Sequence, residues 1–145
     1  MIKDMYHELL KLSSEDEPGL LFRSEGMKNH DYEPSWDYEI DEFPDSKLAK
    51  FTAEVAERVY KSLIKNKTID KYFLGFEVWA AILPEDSCAM YIDGTYDFPV
   101  VLIDLKKHRK YKNQIGQSIY HELKHAIQDS EGTEYDEDEA ENNNY

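Results

Sequence analysis

Two histidines stand four residues apart at His121 and His125, with a glutamate, Glu122, directly after the first. A metal ion such as zinc needs neutral imidazoles that converge on one point. On a helix, positions i and i+4 lie about 40° apart around the axis and one turn along, so both rings reach one ion. Glu122 then falls about 100° round, at the margin of that face, where it can touch a metal-bound water without ligating. The pattern therefore reads as a zinc site with His121 and His125 as ligands and Glu122 as general base.

The surrounding residues fit that reading. With His121 as zero, Gln114, Ser118, His125 and Gln128 fall within about 60° of it. Ile115, Ile119, Leu123, Ala126 and Ile127 fall between about 120° and 240°. The histidines are thus expected on a polar cleft with the core behind them. A partial copy, His7-Glu8-Leu9-Leu10-Lys11, lacks the second histidine and reads as plain amphipathic helix.

Zinc with a catalytic water requires a third protein ligand. No third histidine follows at the spacing of the extended metzincin-type pattern, which is thereby excluded, and residues 131–141 hold seven acids in eleven. A bound cation would offset the repulsion among such carboxylates. Asp136, Asp138, Glu139 and Glu141 are the candidates, with the remaining acids facing water.

His121-Glu122-Leu123-Lys124-His125 together with Asp138-Glu139-Ala140 resembles the gluzincins, zinc peptidases of the zincin fold whose third ligand is a glutamate on the next helix. The ligand glutamate is often followed by alanine there, so the resemblance implies His121, His125 and Glu139 as ligands of one Zn2+, with Glu141 next in line. It also implies a peptide or protein substrate, extended along the strand nearest the cleft, and hydrolysis of a peptide bond. The likeness covers roughly residues 47–141; only the five-residue motif is specific, and residues 1–46 match no pattern. Larger gluzincins carry a lower lobe after the third ligand that often supplies an oxyanion-stabilising His or Tyr. In this sequence Tyr111, Tyr120, Tyr135, His108 and Arg109 are the residues that could replace it. The alternative is an inactive zincin-like binding module in which zinc is a structural staple.

The elements that must position these residues can be read from periodicity. The expected class is α+β, a minimal zincin-like fold with a backing helix, a three-stranded sheet, the histidine helix and a short C-terminal ligand helix. Residues 1–46 form an acidic arm, a helix over 2–12 and then an irregular stretch that packs along the cleft. Residues 47–145 form the domain. Asp45 or Ser46 caps a helix over 47–66 whose stripe is Leu48, Phe51, Val55, Val59 and Leu63. Residues 71–83, 88–93 and 98–104 read as strands. Asn113 caps the histidine helix over 114–129, Gly132 stops it, and a last helix runs from Thr133 towards Asn142.

Composition narrows the classes of function. The chain has 145 residues and a net charge of −14, with 13 acids against 4 bases in residues 1–46 and 8 acids without Lys or Arg in residues 125–145. Phosphate binding needs clustered cations. The run Lys106, Lys107, Arg109, Lys110 and Lys112 reads instead as a solvated loop, so no nucleic-acid partner is expected. An acidic decoy would space its charges along one face, whereas these gather at the two ends. No stretch approaches the ~18 apolar residues of a membrane span. The first residues lack the basic flank and apolar run of a signal peptide, and Cys88 is a lone cysteine, so a cytoplasmic protein is expected. In its small size the domain resembles proteins encoded by phages and mobile elements. Cys88 reads as a buried strand residue, Trp36, Tyr38 and Phe43 as aromatics packed on the domain, and His30 and His108 as surface histidines.

The ligand assignment is testable directly. Glu139→Ala should weaken zinc binding far more than Glu134→Ala or Glu137→Ala, measured by chelator competition. A large loss at Glu141→Ala instead would move the ligand by two residues.

Overall fold

The computed structural model describes residues 19–24, 38–69, 73, 75–92 and 98–130. The expected helices over 2–12 and 133–142, and with them Trp36, His30, Gly132, Tyr135 and Glu139, lie outside the described residues. Within them the fold is α+β: a five-stranded mixed sheet and two helices. The strands are β1 (Leu20–Arg23), β2 (Glu39–Ile40), β3 (Glu77–Ile82), β4 (Ala89–Ile92) and β5 (Val100–Ile103). The helices are α1 (Ser46–Lys65) and α2 (Ile115–Ser130). No described helix is long and apolar enough to cross a membrane.

The sheet runs β1-β3-β5-β4, so β4, which lies between β3 and β5 in sequence, is the outer strand in space. β3 and β5 are parallel, with Val78 opposite Val101 and Ala80 opposite Ile103. β4 returns antiparallel on β5. The unbroken apolar run of β5 follows from its position, because a central strand with parallel pairing has both faces covered. All four of its residues are buried. Val78, Ala80, Val101 and Ile103 face the two helices. Trp79, Ala81, Val100 and Leu102 face the other way, into a second apolar cluster with Phe98 and Leu83.

Two expectations about the arm are corrected. It is not irregular throughout, and the sheet has five strands rather than three. Both β1 and β2 pair antiparallel with β3. They share one edge of it and meet at Ala80, whose N–H donates to the Gly19 carbonyl and whose carbonyl accepts from Asp41 N. The prolines and acids of residues 13–46 mask such two- to four-residue strands, which carry too few residues for a period to show. The described arm segments lie on the β3 side of the sheet, across from β4, rather than along α2. Gly19 makes the junction possible. It has φ +92°, and a Cβ there would stand 2.3 Å from Ile40 Cγ2. Only glycine combines that backbone with that approach.

Helix α1 begins where expected. The Asp45 carboxylate accepts from Lys47 N and Leu48 N, which satisfies two of the amides that a helix start leaves open. Leu48, Val55, Val59 and Leu63 are buried against the sheet and Phe51 partly so. Asn113 does not cap α2 as expected; it lies in a 3-10 turn, Lys112–Gln114, that leads into the helix. Phe43, expected to pack, is 90% exposed. Cys88, expected to be buried, is exposed in the bend before β4. The two exposures have one cause: side-chain chemistry gives a preference for burial, but Phe43 and Cys88 each lie in a bend, away from the neighbours that would cover them.

The basic run is also more than a solvated loop. Lys107 Nζ donates to the carbonyls of Leu83 at 3.2 Å and Ser87 at 2.7 Å, and to that of Pro84. Asp104 accepts from Leu83 N and Lys107 N. Together they clamp the β3–β4 turn to the end of β5.

One charged group lies inside the sheet. Glu77, on β3, is fully buried and accepts from Arg23 Nε on β1 and from Trp79 Nε1 at 2.9 Å. A buried carboxylate persists only with such partners. Glu77→Ala would leave Arg23 facing the gap, so unfolding in urea should show a loss of about 3–5 kcal/mol, while Glu77→Gln should lose less because it keeps an acceptor for Trp79.

Candidate metal centre

Helix α2 carries the site, and its apolar face sets its rotation. Ile115, Ile119, Leu123, Ala126 and Ile127 are all buried, as the spacing predicts. They hold the helix against the core shared with α1 and the sheet. His121 and His125 then project from the opposite side, one turn apart, because a four-residue step returns to nearly the same azimuth.

The two rings meet closely. Their Nε2 atoms are 3.1 Å apart, their centroids 4.6 Å apart, and their planes perpendicular. Glu122 Oε2 lies 4.0 Å from His121 Nε2. One ligand atom from each of His121, Glu122 and His125 fits within a span of 4.8 Å, so the three could hold a metal ion. Thus three of the four site residues expected from sequence come together. The fourth, Glu139, lies outside the described residues.

The setting differs from the expected open cleft. His121 is partly exposed, but Glu122 is 9%, His125 4% and Gln128 5% exposed. Helix α2 packs on α1, β4 and β5. Helical periodicity reports the division between the apolar and polar faces, not what lies over the polar one. The outer strand β4 sits beside α2 and is half-buried along its length.

The residues proposed to stabilise an oxyanion sort differently. His108 is buried, contrary to its reading as a surface histidine. Its Nδ1 bonds to the Asp104 carbonyl at 2.8 Å and its Nε2 to Ser118 Oγ at 2.9 Å. A carbonyl only accepts, so Nδ1 carries the hydrogen and the Ser118 hydroxyl donates to Nε2. With both nitrogens engaged, His108 ties the connection after β5 to the helix one turn before His121. Arg109 is exposed, and Tyr111 is exposed in the same connection. Tyr120 packs partly against the core, with Lys124 Nζ 5.5 Å from its ring centre.

Sequence reasoning placed Gln128 on the polar face without a role. The structure sets its Oε1 3.3 Å from His125 Nδ1. The signal available was its i+3 spacing from a candidate ligand, which is a helical neighbour position.

Comparison of the chain with protein-family models, with curated proteins and with solved structures finds no match. The functional reading therefore rests on the geometry of α2.

If the trio is a metal centre, protein dialysed against a divalent metal should retain about one ion per chain by elemental analysis. His121→Ala and His125→Ala should each remove it. Full occupancy in the double variant would place the metal elsewhere.

Proposed function

We propose that the protein is a zinc-dependent peptidase in which His121 and His125 hold the metal and Glu122 is the general base. The observation that carries this reading is the pair of Nε2 atoms at 3.1 Å on one helix, with the Glu122 carboxylate beside them at 4.0 Å. Two imidazole nitrogens on one tetrahedral zinc stand about 3.3–3.4 Å apart when each Zn–N bond is about 2.0–2.1 Å, so the histidine pair fits the ion closely. Glu122 is set farther from His121 than a ligand pair would be, a spacing that suits a carboxylate acting across a water.

When bound, zinc supplies Lewis acidity towards a water and towards the scissile carbonyl. The chain's residues do the rest. Glu122 accepts a proton from the attacking water and returns it to the leaving amine as the C–N bond breaks. Its burial keeps competing solvent from the carboxylate. An acid of the 131–141 run, with Glu139 first, supplies the third ligand. The resemblance to gluzincins supports a minimal zincin-like domain and a peptide substrate, and this reading assigns β4, the outer strand beside α2, to receive it.

The deep setting of His125 and Glu122 favours a second reading, a binding module in which a metal staples α2 to its neighbours. The two readings differ at Glu122. Glu122→Gln keeps shape and hydrogen-bonding reach but removes the base. For a peptidase, the variant should fold and bind zinc as wild type does yet lose about 10²- to 10⁴-fold in hydrolysis of a peptide library. Equal hydrolysis by both proteins, or a zinc ion with four protein ligands and no water, would sink the enzyme reading.

A further inference from the structure

A neutral imidazole carries one hydrogen, and the nitrogen that holds it cannot bind a metal. Which nitrogen that is depends on the partner of the other one. In His125 both ring nitrogens have close neighbours. Nδ1 faces Gln128 Oε1 at 3.3 Å, and Nε2 faces His121 Nε2 at 3.1 Å. An amide oxygen only accepts, so this contact is a hydrogen bond when the hydrogen sits on Nδ1, which leaves the lone pair of Nε2 on the side of His121. Gln128 is 5% exposed, so it is held by the packing around the helix rather than turning freely in water. Its i+3 spacing puts it on the same rigid turn as the ring it contacts.

We propose that Gln128 is a positioning residue that holds His125 in its Nδ1–H form and so selects Nε2 as the ligating atom. The proposal rests on the metal-centre reading above and adds to it a residue that touches neither metal nor substrate. Its physical content is directional. The amide oxygen both orients the ring about its bond to the chain and raises the basicity of Nε2, whereas the amide turned end for end would set its NH2 against Nδ1. That arrangement would force the hydrogen onto Nε2 and disable the ligand. A leucine at 128 would keep the volume and remove the acceptor. A glutamate would keep the acceptor and strengthen it.

The test uses the full chain and zinc ion as the probe. Zinc affinity is measured by competition with a chromophoric chelator for wild type, Gln128→Leu and Gln128→Glu, each checked for fold by circular dichroism. Gln128→Leu should bind zinc about 10- to 100-fold more weakly, and Gln128→Glu should bind at least as tightly as wild type. Equal affinity of wild type and Gln128→Leu would overturn this proposal and leave the metal centre standing. A wild-type chain that takes up no zinc would overturn both. Long-range proton–nitrogen correlation spectra of the metal-free wild type give a readout that needs no variant, even where Gln128→Leu fails to fold. They should show the Nδ1–H form of His125, and an Nε2–H form would refute the assignment.

Discussion

The rotation of α2 about its own axis is the constraint on which the candidate centre depends. Ile115, Ile119 and Leu123 are almost wholly buried between α1 and the sheet. Removing such a side chain from water contributes on the order of 1.5–3 kcal/mol, so three of them resist any turn of the helix that would expose them. A slip of one residue would swing the histidines by about 100° and set Glu122 and Ala126, or Tyr120 and Lys124, where they now stand. The apolar residues thus do chemical work at a distance: they decide where two imidazoles point. His108 adds a second restraint, since its bond to Ser118 fixes the incoming connection to the same helix.

The polar groups inside the protein act as ties between segments distant in sequence. Glu77 joins β3 to β1 through Arg23, 54 positions away. Lys107 and Asp104 join the end of β5 to the β3–β4 turn. Each tie is satisfied by several partners, as a buried charge or amide requires. The second tie holds the turn that leads into β4, the outer strand, which packs against α2. The same logic extends to the centre itself, where His125 is engaged at both ring nitrogens and Gln128 is one of the partners. The role proposed for Gln128 bears on which nitrogen of His125 is available to a metal.

Much of this was legible in the sequence. The 46–65 and 115–130 helices follow from their apolar spacing, and Asp45 as a cap follows from the chemistry of an open helix start. The three strands after α1 followed from β-branched and aromatic runs bounded by turns. His121, Glu122 and His125 were brought together by arithmetic on one helix, a local relation that needs no knowledge of the rest of the chain. The arm was misread because β1 and β2 are short and owe their conformation to β3, a partner the local sequence does not reveal. His108 was misread because an isolated histidine carries no spacing, and its burial is conferred by Asp104 and Ser118 closing around it.

What the sequence by itself determined is therefore everything that acts within one helical turn or one strand period: the two helices, the division of α2 into an apolar and a polar face, and the meeting of His121 with His125. The tertiary structure decided what covers that polar face, which strand lies outermost, and which partner each buried polar atom takes. The reason is physical. Periodicity repeats along the chain and can be counted there, whereas burial and hydrogen-bond partners are set by segments that meet only when the chain folds.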